Sequence, residues 1–140
     1  MTRTGLIHHI DLNVSDLERS RAFYDRILRQ IGYRPIDYSA LGEPAGYDWV
    51  SPATDGIRLS IGLYRARNSA AKHDRFAPGI HHLALHSESR EKIDQLYQTL
   101  LEMKAEILDS PKEYPKYEPG YYAVFFLDPD GIKLEYVYTH

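Results

Sequence analysis

Between residues 5 and 14 apolar and polar side chains alternate with period two. His8, Ile10, Leu12 and Val14 share one face, while Ile7, His9, Asp11 and Asn13 share the other, as in a strand with one buried and one largely polar side. Ser15-Asp16-Leu17-Glu18 then has the form of a capping box, with Ser15 as N-cap and Glu18 reaching back. Leu17, Phe23, Tyr24, Ile27, Leu28 and Ile31 recur at three- and four-residue spacing, which predicts a helix with one apolar stripe, stopped by Gly32. Three short strands are expected around 33–38, 47–50 and 57–64, punctuated by Pro and Gly. From 65 to 79 the periodicity lapses into a linker of a length that often carries function.

The plan then restarts. Gly79-Ile80-His81-His82-Leu83-Ala84-Leu85 repeats the segment from Gly5 to Leu12 almost residue for residue, His pair included. Ile93, Leu96, Tyr97, Leu100 and Leu101 mark a second amphipathic helix, begun near Ser87 or Ser89, and strands are expected near 105–109, 121–128 and 132–138. The two halves also end alike, Asp55-Gly56-Ile57-Arg58-Leu59-Ser60 against Asp130-Gly131-Ile132-Lys133-Leu134-Glu135. The repeat distance is 73 residues from His9 to His82 and 75 from Ser60 to Glu135. A self-similarity of this length means a duplicated module of β-α-β-β-β order. The expected fold class is therefore α+β: one domain over 1–140, with module one at about 5–64 and module two at about 80–140. The modules pair into a curved, partly open mixed sheet with the helices on its outer face.

Asp128-Pro129-Asp130-Gly131 is turn chemistry, Pro presetting φ and Gly supplying a left-handed residue. If Gly131 ends a three-residue loop, Asp128 pairs with Ile132 and Phe125 lies opposite Glu135. Glu135 then sits mid-strand among aromatics, where an unpaired charge is costly. It needs a partner, whether a bound cation or a cation such as Lys133 or Arg58. Alternation turns His9 and His82 toward the polar concavity with Glu135, and His8 and His81 toward the helices, partly buried and hydrogen-bonded. Imidazole, imidazole and carboxylate form the donor set of catalytic zinc, manganese and iron sites. Their appearance at matched points of a duplicated frame favours a metal over three unrelated structural residues.

Composition narrows the function. Lys plus Arg number 17 against 20 Asp plus Glu, a formal net charge of -3, so neither nucleic acid nor an anionic membrane is an expected partner. Cysteine is absent, which removes disulfides, thiolate metal sites and Cys nucleophiles. No secretory signal opens the chain and no stretch approaches transmembrane length, so a cytoplasmic location is expected. The 7 His and 12 Tyr are the unusual contents. Those around Tyr114, Tyr117, Tyr121 and Tyr122 read as packing or the rim of a pocket.

The paired modules, the strand-one His, the His-His opening of module two and the Asp-Pro-Asp-Gly-Ile-Lys-Leu-Glu ending resemble the vicinal oxygen chelate superfamily. Glyoxalase I, extradiol dioxygenases, fosfomycin-resistance thiol transferases, methylmalonyl-CoA epimerase and bleomycin-resistance proteins belong to it. The resemblance spans essentially the whole chain and speaks for fold more than for reaction. It implies metal positions at His9, Ser60, His82 and Glu135, of which Ser60 departs from the Glu of glyoxalase I. A hydroxyl cannot take a carbon-bound proton as that Glu does, so glyoxalase I activity is not the expectation. The fosfomycin enzymes' substrate hydroxyls have no counterpart at Ala123 and Phe125, and the best-known dioxygenases have two such double modules.

What the resemblance implies is one divalent metal (zinc, manganese, nickel or iron) at His9, His82 and Glu135. It would bind two oxygens of a small organic substrate in a lyase-, isomerase- or dioxygenase-like reaction, with Glu135 also catalytic. Ser60, Arg58, Asn13, His86, Phe125, His73 and Arg75 are the candidate substrate-binding residues. The alternative is a metal-free protein that sequesters an aromatic or antibiotic ligand, as bleomycin-resistance members do. The linker allows modules to pair within a chain or to exchange between two, and a homodimer is expected.

Overall fold

The structure is a computed structural model and describes residues 3–38 and 46–140. The chain divides into two compact units, the boundary falling between Ala71 and Lys72. The first contains β1 (His9–Val14), α1 (Leu17–Gln30), β2 (Arg34–Pro35), β3 (Gly46–Val50) and β4 (Ser60–Arg65); the second contains β5 (Leu83–His86), α2 (Arg90–Glu102), β6 (Ile107–Glu113), β7 (Tyr122–Leu127) and β8 (Lys133–Tyr138). Each unit holds a four-stranded mixed sheet, ordered β1-β4-β3-β2 in one and β5-β8-β7-β6 in the other. In each, the first strand runs parallel to the last and the other neighbours are antiparallel. The predicted duplication of an α+β module is thus the architecture. No helix among the described residues is long and apolar enough to cross a membrane.

One face of each sheet is closed by its helix. In the first unit Leu12, Val14, Trp49, Ile61 and Leu63 are buried with the α1 stripe Leu17, Phe23, Tyr24, Ile27 and Leu28. Trp49 is 1% exposed, and its indole N–H donates to Asp25 Oδ1 of α1 at 2.8 Å. In the second, Val124, Phe126, Leu134 and Tyr136 are buried with Ile93, Leu96 and Leu100 of α2. Leu101, expected in that stripe, is 46% exposed, because it follows Leu100 by about 100° around the helix.

The helix ends refine the predicted caps. The N-cap of α1 is Asp16, whose Oδ1 accepts from Arg19 N–H at 3.0 Å, rather than Ser15. Ser15 Oγ instead accepts from the Arg19 guanidinium, and Glu18 Oε1 accepts from the Tyr47 hydroxyl. At the other end Gly32 has φ 95°, with Gly32 N–H bonded to Arg29 O and Tyr33 N–H to Leu28 O. This is a Schellman closure. The second helix, capped by Ser89, closes the same way, with Lys104 N–H to Leu101 O and Ala105 N–H to Leu100 O. Lys104 takes Gly32's place at φ 55°, where a side chain costs about 1 kcal/mol. Lys104→Gly is therefore expected to stabilise the protein by about 1 kcal/mol, read as a higher urea midpoint at unchanged slope.

Strands begin later than the alternation predicts. In the first unit residues 5–8 precede β1, and Thr54 and Ile57 exchange backbone hydrogen bonds across a turn in which Asp55 and Gly56 have φ 51° and 73°. Arg58 and Leu59 therefore lie outside β4.

Candidate functional site

The turn between β7 and β8 fixes the register of the second unit's open face. Asp128 Oδ1 accepts from the backbone N–H groups of Asp130 and Ile132, each at 2.8 Å, and Asp128 N–H donates to Ile132 O at 2.9 Å. Gly131 has φ 83°, so the loop is the predicted one of three residues, and Phe125 pairs with Glu135. Asp128→Ala leaves two N–H groups without their acceptor and is expected to cost about 1–3 kcal/mol in urea denaturation.

Glu135 is 3% exposed. Its Oε2 lies 3.1 Å from His82 Nε2, and the Tyr121 hydroxyl donates a short hydrogen bond to Oε1. The buried carboxylate therefore has partners on both oxygens. Lys133 is not one of them: its ammonium lies 4.6 Å from the centroid of the Phe125 ring. Burial first, then the hydrogen bond to Glu135 and its charge, push the Tyr121 phenol far above its ordinary pKa, so it stays a donor. Ala123, Phe125 and Val137 are buried on the same face, with Leu108, Tyr114 and Tyr121 packed on them. Beside this layer opens a cavity of about 510 Å³ walled by His82, Tyr114, Tyr117, Tyr121, Phe125 and Glu135. Tyr121 was legible in principle, since it continues the alternation of Ala123 and Phe125 one step outward.

The histidine pairs depart from expectation. His8 and His81 are exposed rather than turned into the helix layer. Their strands start only at His9 and Leu83, so the two-residue alternation does not reach them. Both members of the second pair line the cavity. In each pair the two Nδ1 atoms face one another, at 3.0 Å for His8 and His9 and 2.8 Å for His81 and His82. One of the two must carry the proton. If Nε2 of His82 donates to Glu135, then Nδ1 of neutral His82 accepts from His81; if Nε2 serves as a lone pair, the roles reverse. Desolvation, then the charges of His82, Lys133 and Arg75, hold the His81 imidazole below its ordinary pKa.

In the first unit the open face is polar. His9 pairs in the ladder with Ser60, and its Nε2 lies 3.6 Å from Asp11 Oδ2. The ladder also revises the match drawn between modules. Glu135 lies between Ala84 and Phe125, whereas the residue between Asp11 and Asp48 is Gly62. Gly62 stands 73 residues before Glu135, the same shift as His9 to His82, so it and not Ser60 is the equivalent position. Matching the two Asp-Gly turns misplaces it by two residues, because Arg58 and Leu59 lengthen the approach to β4. The vacated space is filled from both sides. A Cβ at Gly62 would collide with carboxylate oxygens of Asp11 and Asp48.

The remaining candidates scatter. Asn13 is exposed on the open side of β1, and Arg58 is exposed ahead of β4. His86 is exposed on β5 opposite Val137 and does not line the cavity, whereas Phe125 does, its ring centroid 6.3 Å from that of His82. His73 and Arg75 stay outside its walls. Each buries a side-chain nitrogen with no hydrogen-bond partner among the described residues, and the Arg75 guanidinium stacks over Phe76. Among the described residues no group of three or more His, Asp or Glu side chains is gathered closely enough to hold an ion. His82 and Glu135 make a two-donor set whose chemistry suits zinc, manganese, nickel or iron.

The family model for the Glyoxalase/Bleomycin resistance protein/Dioxygenase superfamily matches residues 6–136. The chain belongs to this superfamily. It is 34% identical to the uncharacterised Bacillus subtilis (strain 168) protein YqjT, over 94% of this chain and 97% of that one. Among solved structures it is similar to a candidate glyoxalase from Bacillus halodurans, with 33% identity, a TM-score of 0.73 and 97% of each chain covered. A glyoxalase/dioxygenase from Nostoc punctiforme shares the fold at 24% identity and a TM-score of 0.74, covering 99% of this chain and 93% of that one. The superfamily's fold accounts for the duplicated sheets.

Proposed function

We propose that this superfamily member is a divalent-metal-dependent enzyme, lyase-, isomerase- or dioxygenase-like, that binds two oxygens of a small organic substrate. The observation that carries the reading is the buried Glu135 carboxylate, set 3.1 Å from His82 Nε2 on the wall of a substrate-sized cavity. His82 and Glu135 would supply two donors to the ion, and the protein would act as a homodimer. When bound, the metal polarises the substrate's oxygens and stabilises negative charge on them. The chain's residues do the rest. Phe125 and Tyr114 exclude water from the inner wall. The Tyr121 hydroxyl keeps one Glu135 oxygen hydrogen-bonded, which orients the other toward His82. The absence of a carboxylate at Gly62 argues against the two-glutamate proton transfer of glyoxalase I.

A second reading has its own support. His82, Tyr121 and Glu135 satisfy one another without an ion, and the cavity walls are aromatic, as suits metal-free sequestration of a flat ligand. Elemental analysis after reconstitution separates the two. The enzyme reading expects about one equivalent of metal per assembled site, and less than about a tenth overturns it. Ligand-induced thermal shifts that survive excess chelator would favour sequestration.

A further inference from the structure

Three ammonium groups line the second unit's cavity, and each lies over a different ring of its aromatic wall. Lys133 Nζ is 4.6 Å from the Phe125 centroid, Lys112 Nζ 5.2 Å from that of Tyr114, and Lys116 Nζ 5.2 Å from that of Tyr117. The carboxylates of the same walls are already engaged. Asp109 Oδ1 lies 3.2 Å from Lys112 Nζ, and Glu135 is held by His82 and Tyr121. Lys116 and Lys133 meet no carboxylate within ion-pair distance among the described residues. Three lysines against two acids leave the cavity with an excess of positive charge in a chain whose net charge is -3. The rings supply flat contact: Tyr114 and Tyr117 are stacked, with centroids 5.6 Å apart and planes 17° off parallel, and Phe125 meets Tyr114 edge-on at 5.4 Å. The Tyr114 hydroxyl is buried with no hydrogen-bond partner of good geometry among the described residues, although the Lys112 ammonium is close by.

We propose that this cavity selects a small planar organic anion, its flat body against Tyr114, Tyr117 and Phe125 and its acidic group held by Lys116 and Lys133. The assignment rests on the reading of the cavity as the ligand site. It adds the class of molecule that enters, and Lys116 and Lys133 as the residues that set charge specificity. The ammonium groups sit on flexible four-carbon stems and swing off the ring faces to meet the acidic group, freeing those faces for the ligand's flat body.

The test compares benzoate with benzamide, which match in ring and size and differ in charge, binding to the full-length protein by calorimetry. Titrations are run with added zinc and again in excess chelator, so that coordination of benzoate to the ion is separated from the lysines. Benzoate is expected to bind about tenfold more tightly than benzamide in chelator. K116A/K133A should abolish that preference, and K116R/K133R should retain most of it. Equal affinity for the two compounds in chelator overturns the proposal. So does a benzoate preference that the alanine pair leaves intact, or no saturable binding of either up to about 10 mM. The metal reading fails separately. If the preference persists in chelator while zinc does not bind at all, the cavity takes anions and the enzyme assignment falls. If zinc binds and charge makes no difference, the reverse holds.

Discussion

Glu135→Gln is expected to weaken divalent-metal affinity by more than about a hundredfold, the loss of a ligand exceeding the ten- to hundredfold seen when only an outer hydrogen bond is removed. Glutamine keeps the length of the side chain and can still accept from Tyr121, so the cavity wall is preserved while the negative charge goes. Tyr121→Phe leaves the charge and removes the hydrogen bond that orients it, so its affinity should fall by about tenfold and not to zero. Competition against a chelator of known affinity gives both numbers. Equal metal binding by wild type and Glu135→Gln would place the ion elsewhere and end the assignment of Glu135. Thermal stability is the control: a small change in Tm for Glu135→Gln would show that the loss is not unfolding.

Trp49→Ala is expected to cost about 3–5 kcal/mol, since it removes a large side chain that is 1% exposed. That is a third or more of the total stability of an average domain, so the first unit should be largely unfolded in modest urea. Far-UV circular dichroism is the suitable probe, because Trp49 is the protein's single tryptophan. Trp49→Phe isolates the indole hydrogen bond to Asp25. Burial works to raise the Asp25 carboxyl, but the hydrogen bonds from Trp49 and Arg29 and the charges of Arg29 and Arg21 outweigh it and hold its pKa below the ordinary value. A carboxyl with a lowered folded pKa contributes stability above its unfolded pKa of about 3.9, and loses it as pH falls through the folded value. Between about pH 5 and 3 the wild type should therefore lose more stability than Trp49→Phe, and equal losses would show that Asp25 is not coupled to the indole.

Much of this was legible in the sequence because two chemistries dominate the local choices. The Asp128–Gly131 turn has its own side-chain acceptor and a glycine where φ must be positive, so loop length, register and the Phe125–Glu135 pairing followed from four residues. The duplicated order of elements was equally plain, since His-His and Asp-Gly recur at nearly constant spacing. What failed depended on where hydrogen bonding starts. Alternation says which face a strand residue takes but not where the ladder begins, and so it mislaid His8, His81 and the two-residue shift that puts Gly62 opposite Asp11. Ser15 and Asp16 are both good caps, and only the backbone at Asp16, extended at φ -128° and ψ 105°, decides between them. Tyr121 was obscured by abundance, one of 12 tyrosines, although its place in the alternation with Ala123 and Phe125 marked its face.

One edge strand of each sheet, β2 and β6, carries a proline, Pro35 and Pro111, and β6 is further broken by two register shifts along β7. A strand that lacks an amide hydrogen and does not run straight is a poor template for another chain to zip against. Concentrated protein should therefore resist fibril growth from these borders. Restoring the amide with Pro111→Thr would be the change that invites it.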